Sequence, residues 1–131
     1  MARIRLVQGR KGDGGPEGEQ LRAAGHAVDV GPIDAATLKA MRAAPPAAVV
    51  IDLDRGFSVG RDVAMWLRQA RSTRGVPIVF VGGEAGKVER LREQLPDATF
   101  AARGRLLAAV RRALAHPPAD PVKPASALAG Y

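Results

Sequence analysis

The chain of 131 residues contains no cysteine, which excludes disulfide bonds, thiolate chemistry and cysteine-based zinc sites. Aromatic residues make up only 4% of it, so few side chains are available to stack on exposed bases. No apolar run approaches the length of a membrane span, and the N-terminal MARIRLVQG is too short and polar for a signal peptide. We therefore expect a cytoplasmic protein with one main domain.

Positive charge is the main departure from an ordinary composition. The formal net charge is +7, with 20 lysine and arginine residues against 13 acidic ones. Such a balance favours nucleic acid, anionic lipid or acidic proteins as partners. Because the cations are spread along the whole chain, nucleic acid is only a weak expectation, and we expect no membrane partner.

Hydrophobic periodicity predicts five strands that alternate with five helices. The strands are predicted at residues 3–7, 26–30, 47–53, 76–81 and 98–102, and the helices at 17–24, 34–43, from Ser58 to about residue 70, 85–95 and 105–115. Alternation of this kind implies parallel pairing with right-handed crossovers. The predicted fold class is therefore α/β, a doubly wound five-stranded parallel sheet in a three-layer sandwich.

Local signals refine these elements. Asp34 and Ser58 are suitable N-caps for the second and third helices. The inward stripe of the third helix is predicted to be Val59, Val63, Trp66, Leu67 and Ala70, with Arg61, Arg68 and Arg71 on the other side. In the last helix Leu106, Leu107, Val110 and Leu114 are predicted to face inward. Residues 1–116 thus form the predicted domain, and the proline-rich residues 117–131 a disordered tail.

The most informative segment is AAVVIDLDRGFSVGRDVAMWLR, residues 47–68. A short apolar run ends on Asp52, and a glycine-bearing loop and an amphipathic helix follow. A carboxylate at the carboxyl end of a central parallel strand lies in the crevice where such sheets bind ligands. Asp52 is therefore the leading candidate for a functional carboxylate.

Residues 3–115 resemble the receiver domain of bacterial response regulators. Asp52 and Gly60 occupy the positions of the family's phosphoacceptor aspartate and of a glycine eight residues later, and VPIVFVGG (76–83) resembles its fourth strand. The resemblance implies a flavodoxin-like fold and a role in two-component phosphorelay signalling. A histidine kinase or a signalling effector would then be the protein partner.

The chain departs from this family where the family's chemistry takes place. Gln8 and Gly9 stand where an acidic pair holds Mg²⁺, and Arg10 follows them. Gly82 replaces a hydroxyl residue, and Arg103 replaces a lysine. Mg²⁺ is held through oxygen ligands, and electrostatic stabilisation is the main catalytic contribution in phosphoryl transfer. The resemblance therefore implies a degenerate receiver, or pseudo-receiver, with no enzymatic activity and no cofactor.

Two interpretations of Asp52 remain open. It is either a phosphate acceptor, which would require Mg²⁺, or a carboxylate neutralised by Arg103 or Arg10. Asp54 either points into the same crevice or pairs in solvent with Arg55 or Arg61. The residues predicted to line the site are Gln8, Gly9, Arg10, Asp54, Gly82 and Arg103.

The segment GRKGDGGPEG, residues 9–18, offers a different function. Glycine-rich backbone before a helix can cradle a phosphate, but this segment matches neither of the common phosphate-binding motifs. It is either a flexible loop or an anion site, in which case the chain would bind a nucleotide or nucleic acid with the help of its arginines.

In receivers the surface of the fourth helix, fifth strand and fifth helix contacts partners. The resemblance assigns Phe100, Arg105, Arg111 and Arg112 to that face, and a homodimer through it is a further expectation. The alternatives are packing for Phe100 and solubility for the arginines. The sequence thus favours a single-domain receiver-like signalling protein that acts by protein–protein interaction, with a phosphorelay receiver or an anion binder as the alternatives.

Overall fold

The structure is a computed structural model that describes residues 2–9 and 13–118. Its strands are Arg3–Val7 (β1), Ala27–Asp29 (β2), Ala48–Asp52 (β3), Ile78–Val81 (β4) and Thr99–Ala101 (β5). Its helices are Gly15–Ala23 (α1), Ala35–Ala43 (α2), Phe57–Gln69 (α3), Ala85–Gln94 (α4) and Leu106–Ala115 (α5), with a 3-10 turn at Arg103–Arg105 before α5. The predicted order of elements is confirmed, with ends displaced by a residue or two. Arg10 and most of the predicted tail, residues 119–131, lie outside the described residues.

All five strands are parallel and lie in the order β2-β1-β3-β4-β5. The predicted doubly wound α/β fold is confirmed. The order reverses between β1 and β3, and the ends of these two strands flank the crevice where open sheets bind ligands. Asp52 is the last residue of β3 and pairs in register with Val81 of β4.

The sheet is covered on both faces by apolar side chains. One cluster, on the side of α2, α3 and α4, includes Ile51, Leu67, Phe80 and Leu91. The other, on the side of α1 and α5, includes Leu6, Leu21, Val79 and Val110. Every residue of β3 is buried, as its unbroken apolar run predicts. Each large apolar side chain of these two clusters contributes about 1.5–3 kcal/mol to the stability of the fold through its burial.

Helix starts follow local chemistry only in part. Asp34 caps α2 as predicted, because its Oδ1 accepts a hydrogen bond from the Thr37 amide at 2.8 Å. The predicted Ser58 cap is wrong, since α3 begins at Phe57 after Gly56. Gly56 has a φ of +96°, and a Cβ there would lie 2.9 Å from the Gly9 Cα. The close approach of two loops therefore fixes this helix start.

The structure also corrects the predicted orientation of one side chain on α3 and of one on α5. Arg68 is 1% exposed instead of facing solvent. The chain after α3 folds back over it, and its Nη1 donates to the carbonyl oxygens of Arg74 at 2.8 Å and Val76 at 2.6 Å. Leu107 is 37% exposed, because the small side chains of Ala109 and Ala113 complete the inward face of α5.

Trp66 is half-buried, with the Arg42 guanidinium 5.0 Å from the centre of its ring. This ring therefore packs against the core with one side and against a cation with the other. Among the described residues, every helix is too short or too polar to cross a bilayer.

Candidate functional site at the carboxyl end of the sheet

Asp52 is buried at the end of β3, with 1% of its side chain exposed. The Arg103 guanidinium faces its carboxylate with both terminal nitrogens, Nη2 donating to Oδ1 at 2.8 Å and Nη1 to Oδ2 at 3.4 Å. The Asp54 amide donates to Oδ1 at 3.0 Å, and the Arg55 Nε lies 3.9 Å from Oδ2. Burial of this carboxylate is thus compensated by an ion pair and a backbone hydrogen bond.

The same guanidinium contacts two further carboxylates. Arg103 Nη2 donates to Asp54 Oδ2 at 2.6 Å, and Arg103 Nη1 donates to Glu17 Oε1. The hydrogen bonds with Asp52 and then Asp54 raise the pKa of Arg103 above its ordinary value, and the charges of Asp52 and Glu17 add to this, although partial burial opposes it. Arg103 is therefore a permanent cation at the centre of three acidic groups, which we call the Arg103 cluster.

Asp54 joins this cluster instead of pairing with Arg55 or Arg61 in solvent. Its Oδ1 accepts a hydrogen bond from the Gly83 amide at 3.0 Å, while Arg61 pairs with Asp62 at 3.2 Å. The Arg103 guanidinium, followed by the Gly83 amide, lowers the pKa of Asp54. Because the Asp54 side chain is 52% exposed, solvent weakens this ion pair.

Glu17 is the member of the cluster that sequence reasoning missed. It lies in the first turn of α1, where the predicted glycine-rich loop and the predicted first helix overlap, and it is buried. Gln8 holds it in place, because Gln8 Nε2 donates to Glu17 Oε2 at 3.3 Å and to the Gly14 carbonyl at 3.2 Å. The available signal was Pro16 followed by an acidic residue, a combination typical of a helix start.

Gly82 has no room for a side chain. Its φ is +74°, and a Cβ would overlap Asp54 Oδ2 and lie 3.2 Å from Arg103 Nη2. Gly9 is confined in the same way, since its φ is +69° and a Cβ would lie 2.7 Å from the Arg55 carbonyl oxygen. The glycine in place of a hydroxyl residue is therefore a requirement of the Arg103 cluster.

The described part of the glycine-rich segment uses two of its amides internally. The Gly14 amide donates to Gln8 Oε1 at 2.9 Å, and the Gly15 amide donates to Asp13 Oδ1 at 3.2 Å. Asp13 therefore stabilises the start of α1. A phosphate cradle would need such amides to be free.

The residues of this site do not fit Mg²⁺. The carboxylates of Glu17, Asp52 and Asp54 converge on guanidinium nitrogens, whereas Mg²⁺ requires an octahedral shell of oxygens. Within residues 2–9 and 13–118, no group of three or more histidine, cysteine or acidic residues is arranged to hold a metal.

Three of the four residues predicted to contact a partner lie around one groove. Phe100 stacks on Phe80 with ring centroids 5.0 Å apart, and the Arg92 guanidinium lies 4.5 Å from its centre. Phe100, Arg105 and Arg112 line one shallow groove beside β5 and α5. Arg111 is exposed but does not line that groove. We call Phe100, Arg105, Arg111 and Arg112 the α5 face.

Comparison with known proteins shows the fold. No protein-family model and no curated protein matches the chain. A LuxR-family two-component response regulator from Aurantimonas matches with a TM-score of 0.61 and 23% identity, over 88% of this chain and 86% of that one. A fusion that carries the trimeric coiled coil of yeast Spc42 matches with a TM-score of 0.66 and 20% identity, over 86% and 78%.

NtrX from Brucella abortus, whose structure is a complex with ADP, matches with a TM-score of 0.62 and 21% identity, over 87% of this chain. The chain covers only 26% of that protein. Likenesses at this level of identity concern the fold alone. The chain therefore has the flavodoxin-like α/β fold of receiver domains.

Proposed function

We propose that this chain is a receiver-like signalling protein that acts by binding another protein and does not accept phosphate on Asp52. The Arg103 cluster carries this proposal. Arg103 neutralises Asp52 from within the chain, with hydrogen bonds to both carboxylate oxygens.

Charge is the physical reason. Phosphoryl transfer requires groups that stabilise the negative charge of the transferred phosphate, and metal ions usually supply them. A phosphate approaching Asp52 would meet the carboxylates of Asp54 and Glu17, both already engaged with Arg103. The arrangement therefore favours a fixed ion cluster over a reacting carboxylate, and we propose no enzymatic activity and no cofactor.

The α5 face is the proposed contact surface. Arg105, Arg111 and Arg112 are exposed there, and Phe100 supplies a half-buried ring. Positive surfaces select partners with complementary negative potential. A homodimer through this face would set arginines against arginines, so an acidic surface on a histidine kinase or a signalling effector is the better match.

Phosphorylation is tested first. The purified chain is incubated with acetyl phosphate and Mg²⁺ beside a working receiver, and intact mass is recorded. We expect no adduct on this chain and a clear one on the control. A stoichiometric adduct that disappears in Asp52→Ala would establish the phosphorelay alternative instead.

Partner binding is tested with the histidine kinase encoded nearest to this gene. We expect the kinase to bind without transferring phosphate, and Arg105→Glu with Arg112→Glu to abolish binding. Lys39→Glu with Arg71→Glu makes the same charge change at exposed positions of α2 and after α3, and should leave binding intact. Equal loss in both double variants would indicate attraction by net charge, against the α5 face.

A further inference from the structure

A second basic site lies between α3 and α4, away from the α5 face. It is a half-enclosed groove of about 280 Å³. Phe57, Ser58 and Arg61 line it from the first turns of α3, and Lys87, Arg90 and Leu91 line it from α4. The α4 positions share one helix face, since they are three and four residues apart. We call this the α3–α4 groove.

Three cations converge on the α3–α4 groove without an acidic residue in its lining. Among the described residues, neither Lys87 nor Arg90 has a carboxylate within ion-pair distance. Arg61 pairs with Asp62, but that carboxylate side chain is 70% exposed, so the pair is weak. Like charges held together repel one another, and a bound anion would relieve that repulsion.

The floor of the groove is apolar. Leu91 is 1% exposed, and Phe57 is half-buried with Lys87 Nζ 5.4 Å from its ring centre. The exposed Ser58 hydroxyl makes no hydrogen bond within the described residues, so it is available to a ligand oxygen. Apolar floors with a few converging polar groups characterise small-molecule sites, and this volume lies just below their usual range of about 300–1,000 Å³, as suits a small ligand.

We propose that the α3–α4 groove binds a small organic phosphate. Arg61, Lys87 and Arg90 receive the phosphate, because its oxygens accept several charge-assisted hydrogen bonds at once. The uncharged part of the ligand packs on Phe57 and Leu91. This site is separate from the Arg103 cluster and does not depend on the proposed protein-binding function.

Binding is measured by calorimetry and by NMR shifts on the whole chain at low salt. The probes are a nucleoside monophosphate, a pentose phosphate, inorganic phosphate and the uncharged nucleoside. We expect saturable binding of at least one organic phosphate, weaker binding of inorganic phosphate and none of the nucleoside. The first two probes distinguish a nucleotide from a sugar phosphate as the source of the phosphate group.

The variants are matched in charge. Lys87→Gln with Arg90→Gln should weaken binding about tenfold or more for each cation removed, given the strength of hydrogen bonds to charged groups. Lys39→Gln with Arg71→Gln loses the same charge outside the groove and should keep full affinity. Phe57→Leu tests whether the aromatic ring on the floor of the groove contributes to binding. Thermal unfolding verifies that each variant is folded.

Three results would overturn the proposal. The first is the absence of saturable binding by any phosphate probe at low salt. The second is equal weakening in the groove variant and its matched control, which would show attraction by net charge alone. The third is binding of an acidic peptide, such as oligoglutamate, where every small phosphate fails.

Discussion

The Asp54 carboxylate occupies the space that a side chain in place of Gly82 would need. A Cβ at position 82 would overlap Asp54 Oδ2, the oxygen that accepts a 2.6 Å hydrogen bond from Arg103. A glycine at the end of β4 and an arginine after β5 are therefore two parts of one arrangement. The hydroxyl residue that the receiver resemblance implies at position 82 would collide with the Asp54 carboxylate that Arg103 contacts.

Gly82→Ser should destabilise the protein by about 1–3 kcal/mol, because a non-glycine residue would adopt a positive φ and displace Asp54. Urea unfolding measures the change. Gly104→Ser is the matched control, since a Cβ there meets nothing within 4 Å. If displacement of Asp54 matters, Gly82→Ser will cost less in an Asp54→Ala background than in the parent. Equal costs would leave backbone strain as the whole effect.

Arg103→Ala should destabilise the protein by about 1–3 kcal/mol at pH 7, because it leaves the buried Asp52 carboxylate without its main partner. This range is discounted from the loss for a fully buried pair, since the Arg103 side chain is 44% exposed. Adding Asp52→Asn should recover part of the loss. Arg105→Ala, at an exposed position nearby, should have little effect. Equal unfolding midpoints for both arginine variants would contradict the role of the cluster.

Acid should destabilise the protein through Asp34 and Asp54. Their folded-state pKa values lie below the ordinary 3.8, Asp34 chiefly through the Thr37 amide and Asp54 chiefly through the Arg103 guanidinium. The unfolded chain therefore binds protons first, so the stabilisation is complete above about pH 5 and is lost as the pH falls through the lowered values.

Asp34→Asn isolates the contribution of the α2 cap. Asparagine caps helices about as well as aspartate, so stability at pH 7 should hardly change. The decline of stability below about pH 4 should become shallower, because one titrating group is gone. Denaturant unfolding over a pH series measures this, with Asp62→Asn as the variant outside the cap. If the stability of Asp34→Asn fell with acid as steeply as that of the parent, the contribution assigned to Asp34 would be contradicted.

Arg68→Ala should be among the most damaging single changes, at about 3 kcal/mol or more. It opens a cavity and leaves the carbonyls of Arg74 and Val76 without their donor. Burial lowers the pKa of Arg68, with Asp97 opposing, so the charge itself costs stability. Arg68→Met keeps the aliphatic packing and removes that cost, so this variant should lose less stability than Arg68→Ala. Arg71→Ala, at an exposed position, should be nearly neutral in the same denaturation series.

The sequence predicted features whose causes are local. The unbroken apolar run of β3 and the Asp34 cap are decided within a few residues, and both are confirmed. Helix periodicity failed at Arg68 because the following loop, which has no period, covers that side of α3. Ser58 failed as a cap because Gly56 and Gly9, far apart in the chain, meet in space.

The residues of the candidate site divide in the same way, into those placed by local sequence and those placed by contacts between distant parts of the chain. The position of Asp52 at the carboxyl end of β3 is a property of one strand, and it could be predicted. The contact of Glu17 with Arg103 joins residues 86 positions apart, and no local pattern specifies it. That the carboxylates meet around one guanidinium depends on side-chain packing at the crevice, which strand order alone does not determine.

Arg103 opens the short turn that leads directly into α5. Its hydrogen bonds to Glu17, Asp52 and Asp54 fasten the start of that helix to α1, to the end of β3 and to the loop beyond it. A surface held in this way would, under the proposed function, need no phosphorylation before a partner binds. Under the proposed function, the strength of the signal would follow the number of copies of the protein that the cell makes, and degradation would be the means of ending it.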